Sequence, residues 1–323
     1  MNKKALIIGI AGQDGAFLAK YLLEKNYIVY GTSRDAEMSS FTSLNKLDIK
    51  HKIKLISMSL VDFRSVIQTF MEIRPDEVYN LAGQTSVNLS FKLPVETLES
   101  ISLGTLNILE VLRLFKSDTK FYNASSSECF GNTYGSLATE TTPFRPKSPY
   151  GVAKASAFWQ VENYRQAYNL FVASGILFNH ESYLRPQRFV TQKIISSVCD
   201  IANKKLDFLE IGNINIERDW GWAPEYVVAM HAILQHDSPE DFIIATGKSI
   251  TLELFIKTCF EYFGLNYINY IKVNKDLYRP TDILVSRADT SKATKILHWS
   301  AKTDVFGVIE KMIEYNLKNK ILR

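Results

Sequence analysis

The chain has 323 residues, of which 46% are hydrophobic, and this composition supports a large buried core and excludes a disordered protein. A net charge of +4, with no long basic run, favours an anionic small molecule over nucleic acid as a partner. The three cysteines lack CxxC spacing, which argues against a metal site. We expect a cytoplasmic protein without a membrane segment, because no stretch approaches the ~20 apolar residues that span a bilayer.

Short apolar runs alternate with segments of helical period through the first half of the chain. The runs begin near residues 4, 27, 53, 76, 120 and 170, and helical segments such as 64–73 and 103–115 lie between them. Parallel strands need such crossover helices. The sequence therefore predicts an α/β fold, a doubly wound parallel Rossmann sheet with a smaller mixed α/β C-terminal substrate domain.

The boundary between these two parts is expected near residue 178. Residues 1–178 would form the dinucleotide-binding Rossmann domain, and residues 179–323 mainly the substrate-binding part. No Gly/Ser-rich linker separates the two parts, so a later segment, about 213–235, is expected to return to the Rossmann domain.

The first predicted strand ends in a glycine-rich turn, G-x-x-G-x-x-G, formed by Gly9, Gly12 and Gly15. Glycine at these positions lets backbone N–H groups and the following helix N-terminus approach a pyrophosphate. A simple tight turn is the alternative, but a strand before and a helix after it favour a dinucleotide. At the end of the second strand Arg34 precedes Asp35. Arg34 would pair with a 2′-phosphate, which predicts NADP, while Asp35 leaves NAD open.

Tyr150 and Lys154 lie four residues apart in a segment of helical period, so they share one face of a helix. A lysine beside a phenol lowers the tyrosine pKa and allows it to accept a hydroxyl proton. Glu128 follows a predicted strand, at the sheet edge where ligands bind. Oxidation of an alcohol needs a hydroxyl and the tyrosine and lysine, so an additional carboxylate there suggests a further proton transfer. The alternative is that Glu128 caps the start of a helix.

Several long stretches carry a family resemblance: GIAGQDGAFLAKYLLEK, RPDEVYNLAGQTSV, ASSSECFG, ETTPFRPKSPYGVAK, NYRQAYNLFVASGILFNHES, FVTQKI, ERDWGWAPEYV, EDFIIATG and RPTDILVSRADTSKA. With them the chain resembles the extended short-chain dehydrogenase/reductase family, and within it the GDP-mannose 4,6-dehydratases, over nearly its whole length. The combination of NHES with FVTQKI is the most specific of these features.

The resemblance implies conversion of GDP-mannose, or a related GDP-sugar such as a GDP-heptose, to the 4-keto-6-deoxy sugar. Tyr150, supported by Lys154, would take the O4 proton as the C4 hydride passes to NADP. Glu128 would remove the C5 proton while water leaves from C6, and the hydride would return to C6. Ser126 stands where such enzymes typically have threonine, and its hydroxyl would polarise O4.

The glycine turn and the resemblance together predict the contacts of both ligands. Those expected for the cofactor are Gly9, Gly12, Gln13, Asp14, Gly15, Arg34, Ser59, Leu60, Leu81, Ala82, Gly83, Gln84, Thr85, Tyr150, Lys154, His180 and Arg185. Those expected for the nucleotide-diphosphate sugar are Ser86, Asn88, Ser126, Glu128, Asn179, Lys193, Arg218, Arg279 and Asp282. The arginines are natural partners for its diphosphate. No metal site is expected.

The chain departs from the family at several of these positions. Asp35 replaces the second residue of an arginine pair, Ser59 an aspartate and Ser86 a histidine. The segment S-P-R-R-G-E-T reads SYLRPQR over residues 182–188, which keeps only Arg185 of its arginine pair. These changes fall on cofactor, sugar-pocket and oligomer-contact positions.

Two other functions use part of the same residue set. A nucleotide-sugar epimerase or 4-keto reductase would use Tyr150 and Lys154 without needing Glu128, and a non-catalytic NADP-binding scaffold would need none of the three. Two helical segments, 103–115 and 157–170, have wide apolar faces, and enzymes of this type pair such helices across a two-fold axis. We therefore expect a homodimer or homotetramer.

Overall fold

The computed structural model describes residues 2–116 and 118–321. Its strands are β1 (Lys4–Ile8), β2 (Ile28–Ser33), β3 (Lys54–Ser57), β4 (Glu77–Asn80), β5 (Lys120–Ser126), β6 (Val172–Leu177), β7 (Asn179–Glu181), β8 (Leu209–Ile211), β9 (Glu217–Trp222), β10 (Phe242–Ile244), β11 (Ser249–Thr251) and β12 (Ile271–Val273).

The helices are α1 (Gln13–Glu24), α2 (Thr42–Lys46), α3 (Phe63–Ile73), α4 (Val87–Lys92), α5 (Pro94–Leu98), α6 (Gly104–Leu114), α7 (Pro149–Tyr168), α8 (Val190–Ala202), α9 (Ala223–Gln235), α10 (Leu252–Glu261), α11 (Ser291–Ile296) and α12 (Val305–Ile321). A π-helical turn, Glu99–Leu103, joins α5 to α6. Short 3-10 turns cover Lys50–Lys52, Ser127–Cys129, Tyr267–Asn269 and Lys275–Leu277.

Seven strands form a parallel central sheet in the order β10-β6-β5-β4-β1-β2-β3. The order reverses beside β1, which opens a crevice for a ligand at the carboxyl ends of the central strands. The predicted doubly wound α/β fold is thereby confirmed.

Both faces of the sheet are buried, which explains why its strands are continuous apolar runs. In β1, Ala5 and Ile7 belong to the core beneath α1 and α9, whereas Leu6 and Ile8 belong to the core beneath α3, α6 and α7. Successive side chains point to opposite faces of a strand, so this single run serves both layers.

A smaller part with its own core follows β6. It contains the three-stranded sheet β11-β9-β7 and the pair β12-β8, packed with α8, α10 and α12. Two of the elements beyond residue 178 pack on the central layer instead: β10 pairs with β6, and α9 packs on α1. The exact domain boundary stays a prediction. Within the described residues no helix is long and apolar enough to cross a membrane.

Candidate active site

The glycine turn packs tightly against the end of β4. Gly9 has a φ of +90°, and a Cβ there would lie 2.9 Å from the Leu81 carbonyl carbon and from the Ala82 nitrogen. A Cβ on Gly15 would lie 2.5 Å from the Gly9 carbonyl oxygen, whereas one on Gly12 would be 3.4 Å from the same atom. Gly12 caps α1 without a side-chain hydrogen bond, so the first N–H groups of α1 are available to a phosphate. This geometry fits the pyrophosphate of a dinucleotide.

A hydrogen-bonded cluster connects the start of α1 to the segment after β6. His180 Nε2 lies 2.8 Å from Asp14 Oδ2, and Gln13 donates to Asp14 Oδ1 at 3.0 Å and to the His180 carbonyl at 3.1 Å. Arg185 also donates to that carbonyl. Burial works against the charged Asp14 carboxylate, but His180, Arg185 and Gln13 outweigh it and lower its pKa to about 2. The cluster thus connects the start of α1, where the cofactor is expected, to the loop that contains Arg185.

Tyr150 and Lys154 lie on the first two turns of α7, which Ser148 caps by accepting a hydrogen bond from Gly151 N at 3.0 Å. Lys154 Nζ lies 5.8 Å from the Tyr150 ring centroid and donates to the Ala124 carbonyl at 2.6 Å. Burial lowers the pKa of Lys154 to about 8. The structure therefore brings the phenol and the ammonium together as the four-residue spacing predicts.

Ser126 and Glu128 approach Tyr150 from the end of β5. Ser126 Oγ accepts a hydrogen bond from Glu128 N at 3.2 Å, and its side chain and the Tyr150 phenol line the same cavity. Burial raises the pKa of Tyr150, and Ser126 and Arg185 oppose that effect, so the lowered tyrosine pKa that the sequence predicts from Lys154 is not observed. Burial likewise raises the pKa of Glu128, while Arg218 and Arg279 lower it. A phenol, a hydroxyl and a carboxylate of raised proton affinity thus converge.

Two arginines and an aspartate face this group from the smaller part. Arg218 NH2 and Arg279 NH1 each lie 3.2 Å from Asp282 Oδ1. Arg218 is 5% exposed, and β9 supports it. One carboxylate against two guanidinium groups leaves a positive charge, which suits the diphosphate of a ligand.

One cavity of about 350 Å³ joins these groups. The residues predicted for a ligand that line it are Asp14, Leu81, Thr85, Ser86, Asn88, Ser126, Glu128, Tyr150, Lys154, Asn179, His180, Arg185, Lys193, Arg218, Arg279 and Asp282. They come from both parts of the chain, so the cavity lies between the central sheet and the smaller part.

Other predicted residues do not line this cavity. Gln84 turns its amide to the Ser86 backbone and to Thr97, and Ser59 donates its N–H to Ser65. The other predicted residues outside the cavity wall are Gly9, Gly12, Gln13, Gly15, Arg34, Leu60, Ala82 and Gly83.

Comparison with known proteins identifies the family. The model described as GDP-mannose 4,6 dehydratase matches residues 6–312. The chain belongs to this family. The GDP-mannose 4,6 dehydratase of Drosophila melanogaster is 38% identical over 98% of this chain and 87% of its own length. GDP-mannose 4,6 dehydratase 1 of Arabidopsis thaliana is 40% identical over 98% of this chain and 90% of its own length.

The fold of this GDP-mannose 4,6-dehydratase family member is found in distant enzymes too. A Thermus thermophilus UDP-glucose 4-epimerase, solved with NAD, aligns with a TM-score of 0.85 at 23% identity, and the match covers 97% of this chain and 99% of the epimerase. At this identity the likeness concerns the fold alone.

The cavity wall of this family member also contains residues that the sequence did not single out. They include Glu181, Arg188, Phe189, Thr191, Asn213 and Tyr278. Phe189 and Thr191 lie in the stretch FVTQKI, so that stretch was the available signal for them. Arg188 stands where the family pattern S-P-R-R-G-E-T has threonine. Its guanidinium lies 5.3 Å from the Phe189 ring centroid.

Proposed function

We propose that the protein is an NADP-dependent 4,6-dehydratase that converts GDP-mannose to its 4-keto-6-deoxy derivative. Family membership supports the reaction class, and the convergence of Ser126, Glu128 and Tyr150 in one cavity is the observation that carries the chemistry. An epimerase needs the phenol and the lysine but not the Glu128 carboxylate.

The glycine turn of Gly9, Gly12 and Gly15 would hold the pyrophosphate of a nicotinamide dinucleotide, which would supply a hydride acceptor for the sugar C4 and a hydride donor for C6. Tyr150 accepts the O4 proton, and the positive charge of Lys154 favours its phenolate. Ser126 donates a hydrogen bond to O4 as the carbonyl forms. The new ketone makes the C5 proton acidic, and Glu128 removes that proton and passes it to the C6 hydroxyl, which leaves as water. When hydride reaches C6, the proton that Tyr150 took from O4 is returned to C5, which completes the 4-keto-6-deoxy product. Arg218 and Arg279 hold the diphosphate throughout.

Mass spectrometry of the product tests the proposal. With GDP-mannose and NADP the expected product has lost one water, whereas an unchanged mass with a new epimer would establish the epimerase alternative. Glu128→Gln is expected to keep C4 oxidation and to slow water loss by about 100-fold or more. The matched control is Glu24→Gln, an exposed carboxylate on α1, which should leave turnover unchanged. Turnover of Glu128→Gln equal to wild type would refute the assignment.

The preference for NADP over NAD rests on two neighbouring side chains after β2. Asp35 Oδ1 accepts hydrogen bonds from Glu37 N at 3.0 Å and Met38 N at 2.9 Å, so its carboxylate stabilises its own turn. Arg34 is exposed and has no ion-pair partner among residues 2–116 and 118–321. A 2′-phosphate would satisfy it.

Binding measurements with the two cofactors test this preference. Arg34→Ala is expected to weaken NADP binding by about tenfold or more while leaving NAD binding little changed. Asp35→Asn, which retains a turn-capping oxygen, is the control and should keep the preference for NADP. Equal loss for both cofactors in Arg34→Ala would contradict the role of Arg34.

We propose a homodimer because three neighbouring elements form an exposed apolar surface that a second copy of the chain would cover. α5, the π-helical turn and α7 pack side by side, and Val95, Val152 and Trp159 on them are 66%, 46% and 53% exposed. Trp159→Glu is expected to convert a dimer to a monomer in analytical ultracentrifugation. Met38→Glu, at an 83% exposed methionine elsewhere, is the control and should not change the sedimenting species.

A further inference from the structure

The carboxylate of Asp282 is shared by two cations. Its Oδ1 lies 3.2 Å from both Arg218 NH2 and Arg279 NH1 and also accepts the Ile283 N–H at 2.9 Å. Arg218 is 5% exposed, so water solvates its charge poorly. Asp282 alone therefore neutralises one of the two guanidinium charges, and the other is available to the Glu128 carboxylate or to an anion of the ligand.

Glu128 lies in the wall of the same cavity, and the charges of Arg218 and Arg279 act on its carboxyl. Burial raises the pKa of the Glu128 carboxyl, Arg218 and Arg279 lower it, and Asp282 raises it. The charged or titratable groups coupled to Glu128 come from α7, β9, the 279–282 loop and its own 3-10 turn: Tyr150, Arg218, Arg279, Asp282 and Cys129. Before substrate arrives, the two arginines are thus the groups that favour the ionised carboxylate.

A diphosphate that pairs with these arginines changes this balance. Its negative charges offset the guanidinium charges, and the attached sugar displaces water from the carboxylate. Both effects favour the protonated form of Glu128. The diphosphate does not react, but its charge thereby changes the proton affinity of the Glu128 carboxylate, which takes the C5 proton.

We propose that the diphosphate of the substrate, by occupying Arg218 and Arg279, makes Glu128 a stronger base in the substrate complex than in the free protein. This inference rests on the proposed dehydratase function. In the complex the C5–H bond breaks and its proton moves to the Glu128 carboxylate, while its electron pair forms the C5=C6 bond. The C6–O bond breaks, and the same proton leaves with the departing hydroxide as water.

Proton uptake on GDP binding tests the coupling without catalysis. Isothermal titration calorimetry of the NADP-loaded protein in two buffers of different ionisation enthalpy, from about pH 5 to about pH 8, counts the protons. GDP itself titrates in this range, so the Glu128→Gln protein, which binds GDP without a titratable carboxyl, provides the baseline. Wild type is expected to take up more protons than Glu128→Gln, with a maximum difference at one pH. Equal uptake in both proteins at every pH would overturn the proposal.

Two further arms test whether the arginine charge and the phosphates are responsible. Arg279 is 27% exposed, and Arg279→Lys keeps its charge whereas Arg279→Gln removes it. The Glu128-dependent uptake is expected to persist with lysine and to decrease with glutamine. Guanosine in place of GDP is expected to give no such uptake. Equal uptake with guanosine would attribute the effect to burial by the nucleoside and refute the arginine route.

The same titrations separate this inference from the proposed function. GDP binding without Glu128-dependent uptake overturns the coupling alone and leaves the dehydratase assignment intact. Failure of GDP to bind the wild-type protein overturns the GDP-sugar assignment and the coupling with it.

Discussion

Replacing Lys154 by methionine is expected to stabilise the fold while it abolishes C4 oxidation. Lys154 is 6% exposed, and its ammonium donates a hydrogen bond to the Ala124 carbonyl at 2.6 Å. Burial lowers its pKa from 10.5 to about 8, so the folded protein binds this proton less tightly than the unfolded chain does. The residue therefore costs stability in order to place a charge beside Tyr150.

The magnitude follows from the shift in pKa. A decrease from 10.5 to about 8 corresponds to about 3 kcal/mol of destabilisation at neutral pH. Loss of the Ala124 hydrogen bond offsets about 1 kcal/mol of the gain, which leaves a net stabilisation of about 2 kcal/mol for Lys154→Met. Because the folded pKa is the lower one, the penalty is complete below about pH 8 and disappears as the pH rises towards 10.5.

Urea unfolding of the cofactor-free protein measures the effect at about pH 7 and about pH 10.5. Lys154→Met is expected to exceed wild type at the lower pH and to lose that advantage at the higher one. Lys20→Met, at an exposed lysine on α1, is the control and should change stability by less than about 0.5 kcal/mol at either pH. A Lys154→Met protein less stable than wild type at about pH 7 would refute the reasoning.

Three more predictions concern the turn, the loop and the pH profile. Gly15→Ala is expected to lower the free energy of unfolding by about 1–3 kcal/mol, because its Cβ would lie 2.5 Å from a carbonyl oxygen, whereas Gly12→Ala, at 3.4 Å, should cost less than about 1 kcal/mol. Arg188→Thr is expected to raise KM for GDP-mannose several-fold at constant kcat in steady-state assays. The value of kcat/KM is expected to fall as pH rises through about 8, because Lys154 then loses its charge.

Opposite outcomes would contradict each of these. Equal destabilisation by the two alanine substitutions would remove the steric argument for Gly15. A lower kcat at constant KM would place Arg188 in the chemical step, and a flat profile up to about pH 10 would mean that Lys154 keeps its charge in the working enzyme.

Local sequence signals predicted the features that depend on neighbouring residues. The spacing of Tyr150 and Lys154 placed both on α7, and the glycines placed a tight turn before α1. The six apolar runs predicted six of the seven strands of the central sheet. Each of these features needs only a helical or strand period and a glycine conformation.

Contacts between distant segments could not be read in this way. The seventh strand, β10, joins the sheet through pairing with β6 from far along the chain. The Asp14–His180 contact and the sharing of Asp282 by two arginines depend on how segments far apart in the chain pack together. Gln84, expected at the cofactor, forms local hydrogen bonds with Ser86, and its contact with the cofactor stays a prediction.

The late position of β10 has a consequence for synthesis of the protein on the ribosome. When about the first 180 residues have emerged, β6 is still an unpaired apolar edge of the central sheet. The helix α9, which packs beside α1 on the same face of the sheet, has not yet been made. Such an edge is a template for pairing with other chains. Completion of the central layer must therefore wait for residues 223–244, so a nascent chain that stalls before them is the form most in need of chaperone protection.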